Sequence, residues 1–151
     1  RSLGVKLKLS STKTIVKNKS IILIDDSLVR GTTCHKIVKM LYESGAKEVH
    51  VRIACPEIKY PDFYGVDMPT KEELLAHKKN NKQMCDYIKA KSLKFLSLEG
   101  IYNALIKEKR NSSYPQFSDH YFTGDYPIKP YDNLNGVKVK QLSLLSGKSN
   151  S

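Results

Sequence analysis

The sequence predicts an α/β fold built on an open parallel sheet, followed by C-terminal helices and loops. Three observations carry this. Residues 21–24 (Ile-Ile-Leu-Ile) form a short run that is apolar on both faces, as a strand buried in a parallel sheet requires. Residues 48–55 alternate, with Val49, Val51 and Ile53 facing one way. Between them, Ile37, Val38, Leu41 and Tyr42 fall at helical spacing, and Gly45 stands where such a helix stops. Strand, loop, helix, glycine and strand in this order make a βαβ unit, with parallel strands and a right-handed crossover.

The elements follow in chain order. Residues 4–9 alternate between Val5, Leu7, Leu9 and Lys6, Lys8, which predicts a half-buried strand. Residues 10–20 are polar and Lys-rich, a loop with a short apolar pair at Ile15 and Val16. The run at 21–24 ends in Asp25 and Asp26, and a helix opens at Thr32 or Thr33. Residues 56–69 hold three prolines, Gly65 and three aromatics, an ordered loop with packed rings. Thr70, followed three residues later by Glu73, predicts a capping box and a helix to about His77. A second helix over 82–90 carries Met84, Cys85, Tyr87 and Ile88. A short strand over 93–96 and a helix over 98–106, with Glu99 in its first turn, come next. Residues 114–131, with three prolines and six aromatics, read as a loop that docks on something. The Lys/Ser/Leu-rich stretch 135–151 reads as a flexible tail.

Composition narrows the function. The chain has 151 residues and a formal net charge of +11, which invites a nucleic-acid reading. Residues 1–20 hold six bases and no acid, and residues 136–151 hold three bases and no acid. The middle is nearly balanced, so the excess is terminal and the expectation is no nucleic-acid partner. The longest apolar run is four residues, far short of the ~20 that span a bilayer, and no signal-peptide pattern opens the chain. Cys34, Cys55 and Cys85 are odd in number and widely spaced, which points to reduced cysteines and a cytoplasmic setting. His35, His50, His77 and His120 show no metal-ligand spacing, so structural or surface roles are expected.

The chemistry sits in residues 21–33. A buried strand delivers two adjacent carboxylates to the C-terminal edge of a parallel sheet, where open α/β sheets bind ligands. A seven-residue loop then leads to a helix N-terminus, whose free N–H groups and dipole favour an anion. Gly31 lets the backbone approach a phosphate closely, and Ser27, Thr32 and Thr33 add hydroxyl donors. Carboxylates beside such a nest suit a ligand with both hydroxyls and a phosphate, as in a ribose 5-phosphate. An acid that merely ends a strand and a Thr that merely caps a helix account for only part of this pattern.

Residues 21–33 resemble the phosphoribosyl-pyrophosphate (PRPP) signature of type I phosphoribosyltransferases, whose core is a Rossmann-like parallel sheet. The wording Asp25-Asp26-Ser27-Leu28-Val29-Arg30-Gly31-Thr32-Thr33 is similar to the amidophosphoribosyltransferase branch. Further blocks resemble it in the same order: residues 45–53, 64–70, 72–74, 92–93, 98–100 and 122–127, with 5–9 fitting its preceding strand.

The resemblance implies transfer of ammonia, released from glutamine, onto C1 of PRPP, giving 5-phosphoribosylamine in the first step of purine synthesis. It implies a PRPP site made of Asp25, Asp26, Ser27, Leu28, Val29, Arg30, Gly31, Thr32 and Thr33. Asp25 and Asp26 would meet the ribose hydroxyls and a Mg²⁺ held through PRPP, and no residue is assigned as catalytic. Lys8 and Arg30 are candidates to approach the anion, or to serve the surface and packing. Residues 1–110 would be the C-terminal portion of the phosphoribosyltransferase domain and 111–134 an ordered C-terminal segment. The glutaminase domain, with its N-terminal cysteine, and the first half of the transferase domain are expected to lie outside this chain. That missing N-terminal portion is an expected partner, and the full-length family is expected to form homo-oligomers. Some members hold a 4Fe-4S cluster on cysteines. The matching positions here are Asp62, Ser118 and Tyr121, none a thiolate, so no cluster is expected. The competing readings are an inactive remnant of the enzyme, another PRPP-binding transferase and a basic nucleic-acid module.

Overall fold

The structure, a computed structural model, describes residues 13–65 and 70–128. The strand expected at 4–9, the tail at 135–151, and residues 66–69 of the 56–69 loop lie outside the described residues. The elements run α1 (Lys13–Val16), β1 (Ser20–Asp25), α2 (Thr32–Glu43), β2 (Glu48–Ile53) and a 3₁₀ turn (Lys71–Glu73). Then come α3 (Leu75–Lys78), α4 (Asn81–Ile88), β3 (Ser92–Phe95), α5 (Leu98–Ile106) and α6 (His120–Thr123).

The three strands form one parallel sheet in the order β1-β2-β3. Asp25 stands level with Ile53, and Ile53 level with Phe95, so the three C-terminal ends share one edge. Period-two alternation sends Val49, Val51, Ile53 and Leu93 to one face. There they pack with Cys34, Val38 and Leu41 of α2 and with Met84 and Ile88 of α4. The other face carries Ile22 and Ile24, which are 63% and 73% exposed.

α2 ends as its glycine predicts. Gly45 takes φ +93°, its N–H donates to Tyr42, and the Ala46 N–H reaches the Leu41 carbonyl at 3.1 Å. These two bonds satisfy the last-turn carbonyls in a Schellman motif. The loop expected over 10–20 instead contains α1, whose Val16 is buried in the core. The apolar pair noted there makes one helical turn because that turn brings Val16 under the sheet.

The helix expected from Thr70 to about His77 is a 3₁₀ turn and a separate short helix, broken at Leu74, whose ψ is +118°. Thr70 makes no side-chain cap bond. Glu73, its expected partner, is bonded to Arg30 instead. The capping box forms one helix later. Asn80 accepts the Gln83 N–H at 2.9 Å, and Gln83 Oε1 accepts the Asn80 N–H at 3.0 Å.

The aromatic segment near the C-terminal end docks on the 56–65 loop. Lys59 and Tyr60 N–H both donate to the Tyr121 carbonyl, and Tyr126 Oη donates to Pro61. Tyr64 Oη donates to the Ile128 carbonyl at 2.6 Å. Arg110 holds the segment from the other side, donating to Asp119 at 2.6 and 3.1 Å and to Asp125 at 2.6 Å. Tyr102 Oη donates to the same Asp119.

Candidate functional site: an acid pair above a helix N-terminus

β1 ends at Asp25, so its carboxylate and that of Asp26 stand at the C-terminal edge of the sheet. Asp25 Oδ1 accepts the Asp26 N–H at 3.1 Å, and Ser27 Oγ donates to Asp26 Oδ1 at 2.9 Å. Each carboxylate thus makes one short-range bond that orients it. Burial, helped by the Asp25 charge, pushes the Cys34 thiol up to about 11. Cys34 is therefore a neutral core group, not a nucleophile. Cys55 is shifted upward by burial and by the Asp26 and Asp25 charges, and all three cysteines are free.

The loop after the acids is anchored by Leu28, which is buried in the core, so only its main chain can face a ligand. Val29 accepts the Leu75 N–H at 2.9 Å. Arg30 Nη2 donates to Glu73 at 2.6 Å. Gly31 then takes φ +75° and serves as the N-cap of α2. Neither Thr32 nor Thr33 caps the helix. The N-cap offers no side-chain acceptor, and no acid lies in the first turn. The first-turn N–H groups have no intrahelical acceptor, so they face outward with the positive end of the dipole. Residues 25–34 together line a cavity of about 300 Å³. Every residue expected in the site lies along it, with the Leu28 side chain turned to the core and the Arg30 guanidinium bound by Glu73.

Two larger clefts lie elsewhere. One, about 530 Å³, sits between the 56–59 and 93–98 segments, and one, about 720 Å³, lies in the 112–127 segment. Neither pairs adjacent acids with an uncapped helix start.

Comparisons with known proteins show what the chain is similar to. A curated amidophosphoribosyltransferase of Rhizobium etli is 49% identical over 147 residues, 97% of this chain. One of Staphylococcus aureus is 48% identical over 132 residues, 87% of this chain. The chain matches a segment of amidophosphoribosyltransferases. It covers 30% and 26% of those two relatives, less than a third of their length. The solved glutamine PRPP amidotransferase from B. subtilis, complexed with ADP and GMP, superposes with a TM-score of 0.72 at 40% identity. A second structure, described as the allosteric regulatory enzyme of purine biosynthesis, gives 0.72 at 41%. Each match covers 80% of this chain and 26% of the other. No protein-family model matches the chain. The parallel sheet with its helices is thus the α/β fold of a type I phosphoribosyltransferase domain. Among the described residues, no helix is long and apolar enough to cross a membrane.

Asp62, Ser118 and Tyr121, the positions that the sequence resemblance sets against cluster cysteines, meet around one imidazole. His120 Nε2 lies 2.8 Å from Asp62 Oδ1, and Ser118 Oγ lies 3.0 Å from His120 Nδ1. The Tyr121 ring centroid is 4.0 Å from that of His120. His120 is 1% exposed, so the centre is filled by a hydrogen-bonded side chain. These oxygen and imidazole groups do not suit an iron–sulfur cluster. Sequence reading expected a structural or surface role for His120 and did not place it between these three positions, because Asp62 is 58 residues away.

Proposed function

We propose that this chain carries the ribose 5-phosphate grip of an amidophosphoribosyltransferase. The enzyme it belongs to would join glutamine-derived ammonia to C1 of PRPP, releasing pyrophosphate, at the start of purine synthesis. One observation carries the reading: two carboxylates at the end of β1 open into a loop that closes on left-handed Gly31 and an uncapped helix start. The N–H groups and the Thr32 and Thr33 hydroxyls would hold the 5-phosphate. Asp25 and Asp26 would accept from the ribose hydroxyls. Their hard oxygen donors also fit Mg²⁺, which would reach them through PRPP. When bound, Mg²⁺ supplies charge neutralisation to the departing pyrophosphate. The chain's own contribution would be to fix the ribose while positive charge develops at C1.

Residues 1–110 belong, in this reading, to the transferase domain, and 111–134 to a C-terminal segment. The rest of the transferase domain and the glutaminase are partners, the assembly is a homo-oligomer, and the setting is the cytoplasm. Calorimetry of the chain with ribose 5-phosphate or PRPP plus Mg²⁺ tests the site. Asp25→Asn and Asp26→Asn should each weaken binding more than about tenfold, since each removes a charged acceptor. Unchanged binding in both variants would refute the assignment.

The exposure of Ile22 and Ile24 on one face of the sheet, among the described residues, supports a second reading in which the chain alone is inactive. A turnover assay with PRPP and ammonia separates the two. Product from the chain alone excludes the inactive remnant.

A further inference from the structure

Three consecutive residues of the loop are held by one other part of the chain. Val29 accepts the Leu75 N–H at 2.9 Å. Arg30 Nε and Nη2 donate to Glu73 Oε2 at 3.0 and 2.6 Å. Gly31 is pressed so closely that a Cβ there would lie 2.7 Å from Leu75 Cδ2 and 3.0 Å from Tyr87 Cε1. Tyr87 is itself tied to α2, its carbonyl 3.0 Å from His35 Nδ1 and its ring 6.1 Å from the imidazole.

We propose that segment 73–87 is the platform that sets the shape of the phosphate loop, and that Glu73 and Arg30 are its positioning residues. Glu73 holds the Arg30 guanidinium off the anion, so Arg30 is an anchor rather than a phosphate ligand. This rests on the reading of residues 25–33 as a ribose-phosphate site. The chemistry favours such an arrangement. A free guanidinium beside the nest grips any phosphate or carboxylate. A guanidinium spent on Glu73 leaves selection to main-chain N–H groups, whose directions depend on how residues 29–31 are held. The pair is half exposed, so its direct worth to stability is small, and its effect is on loop geometry.

A charge swap in the full chain tests this. Arg30→Glu and Glu73→Arg are made singly and together, and ribose 5-phosphate binding with Mg²⁺ is followed by calorimetry. Each single variant should weaken binding by about 3- to 10-fold, and the double variant should return to within about twofold of the original. The ligand-free amide resonances of Gly31, Thr32 and Thr33 should move in each single variant and return in the double. A pair that only adds stability leaves those resonances in place. A double variant that binds no better than the single ones overturns the proposal and makes Arg30 a direct ligand. Should the unchanged chain bind no ribose 5-phosphate, the site reading fails, and the amide resonances still decide whether the pair shapes the loop. Glu73→Gln, read the same way, serves if a charge reversal prevents folding.

Discussion

Gly31 meets two demands that no other residue type meets together. Its φ of +75° strains any side chain, and a Cβ would strike Leu75 and Tyr87. Gly31→Ala should therefore destabilise the chain by about 2 kcal/mol in urea unfolding, and weaken phosphate binding beyond that. Asp119 shows a different residue-level effect. Burial alone raises its carboxyl, but bonds from Arg110, Tyr102 and Thr123 outweigh this and hold it below the usual range. A carboxyl lowered in the folded state contributes its stability fully above the unfolded value near 3.9, and loses it as pH falls through the folded value. The urea midpoint should thus drop as pH falls below about 4, and Asp119→Asn should flatten that part of the profile. At this scale the sequence was legible where chemistry is local. Asp25, Asp26 and Gly31 could be read because strand end, loop and helix start are contiguous. Glu73 could not, because its partner is 43 residues away.

The elements show the same division. The helix expected over 98–106 is found at Leu98–Ile106, since Ser97 caps it locally by accepting the Gly100 N–H. The strands over 21–24 and 93–96 lie within a residue of their expected places because their apolar spacing is short-range. Over 70–78 the expectation failed. No capping box forms at Thr70: Glu73 is bonded to Arg30, and extended Leu74 separates a 3₁₀ turn from α3. The working capping box at Asn80 and Gln83 stabilises α4, which carries Tyr87. Asn80→Ala should cost about 1 kcal/mol by urea denaturation. The same variant should lower phosphate affinity slightly if α4 supports the loop.

Among the described residues, the sheet has one covered face. Leu93 is 4% exposed beneath α4, whereas Ile24 on the opposite face is 73% exposed. Leu93→Ala should cost about 3 kcal/mol, and Ile24→Ser should change stability by less than about 0.5 kcal/mol, both read from urea midpoints. The charge sorts in a parallel way. The excess of bases lies at the two ends of the sequence, and the loop that would take an anion lies in the balanced middle. The strand order has a consequence in time. β2 is paired on both sides, while β1 is paired only to β2 among the described residues. Among the described residues, β1, which leads into the acid pair, is thus an edge strand, as β3 is, with alternate amides outside the ladder. In deuterated water those amides should exchange early, while β2 holds its protons longest, nearly to global unfolding. Saturating ribose 5-phosphate should slow exchange first at the C-terminal end of β1, where the ligand would fasten an edge strand.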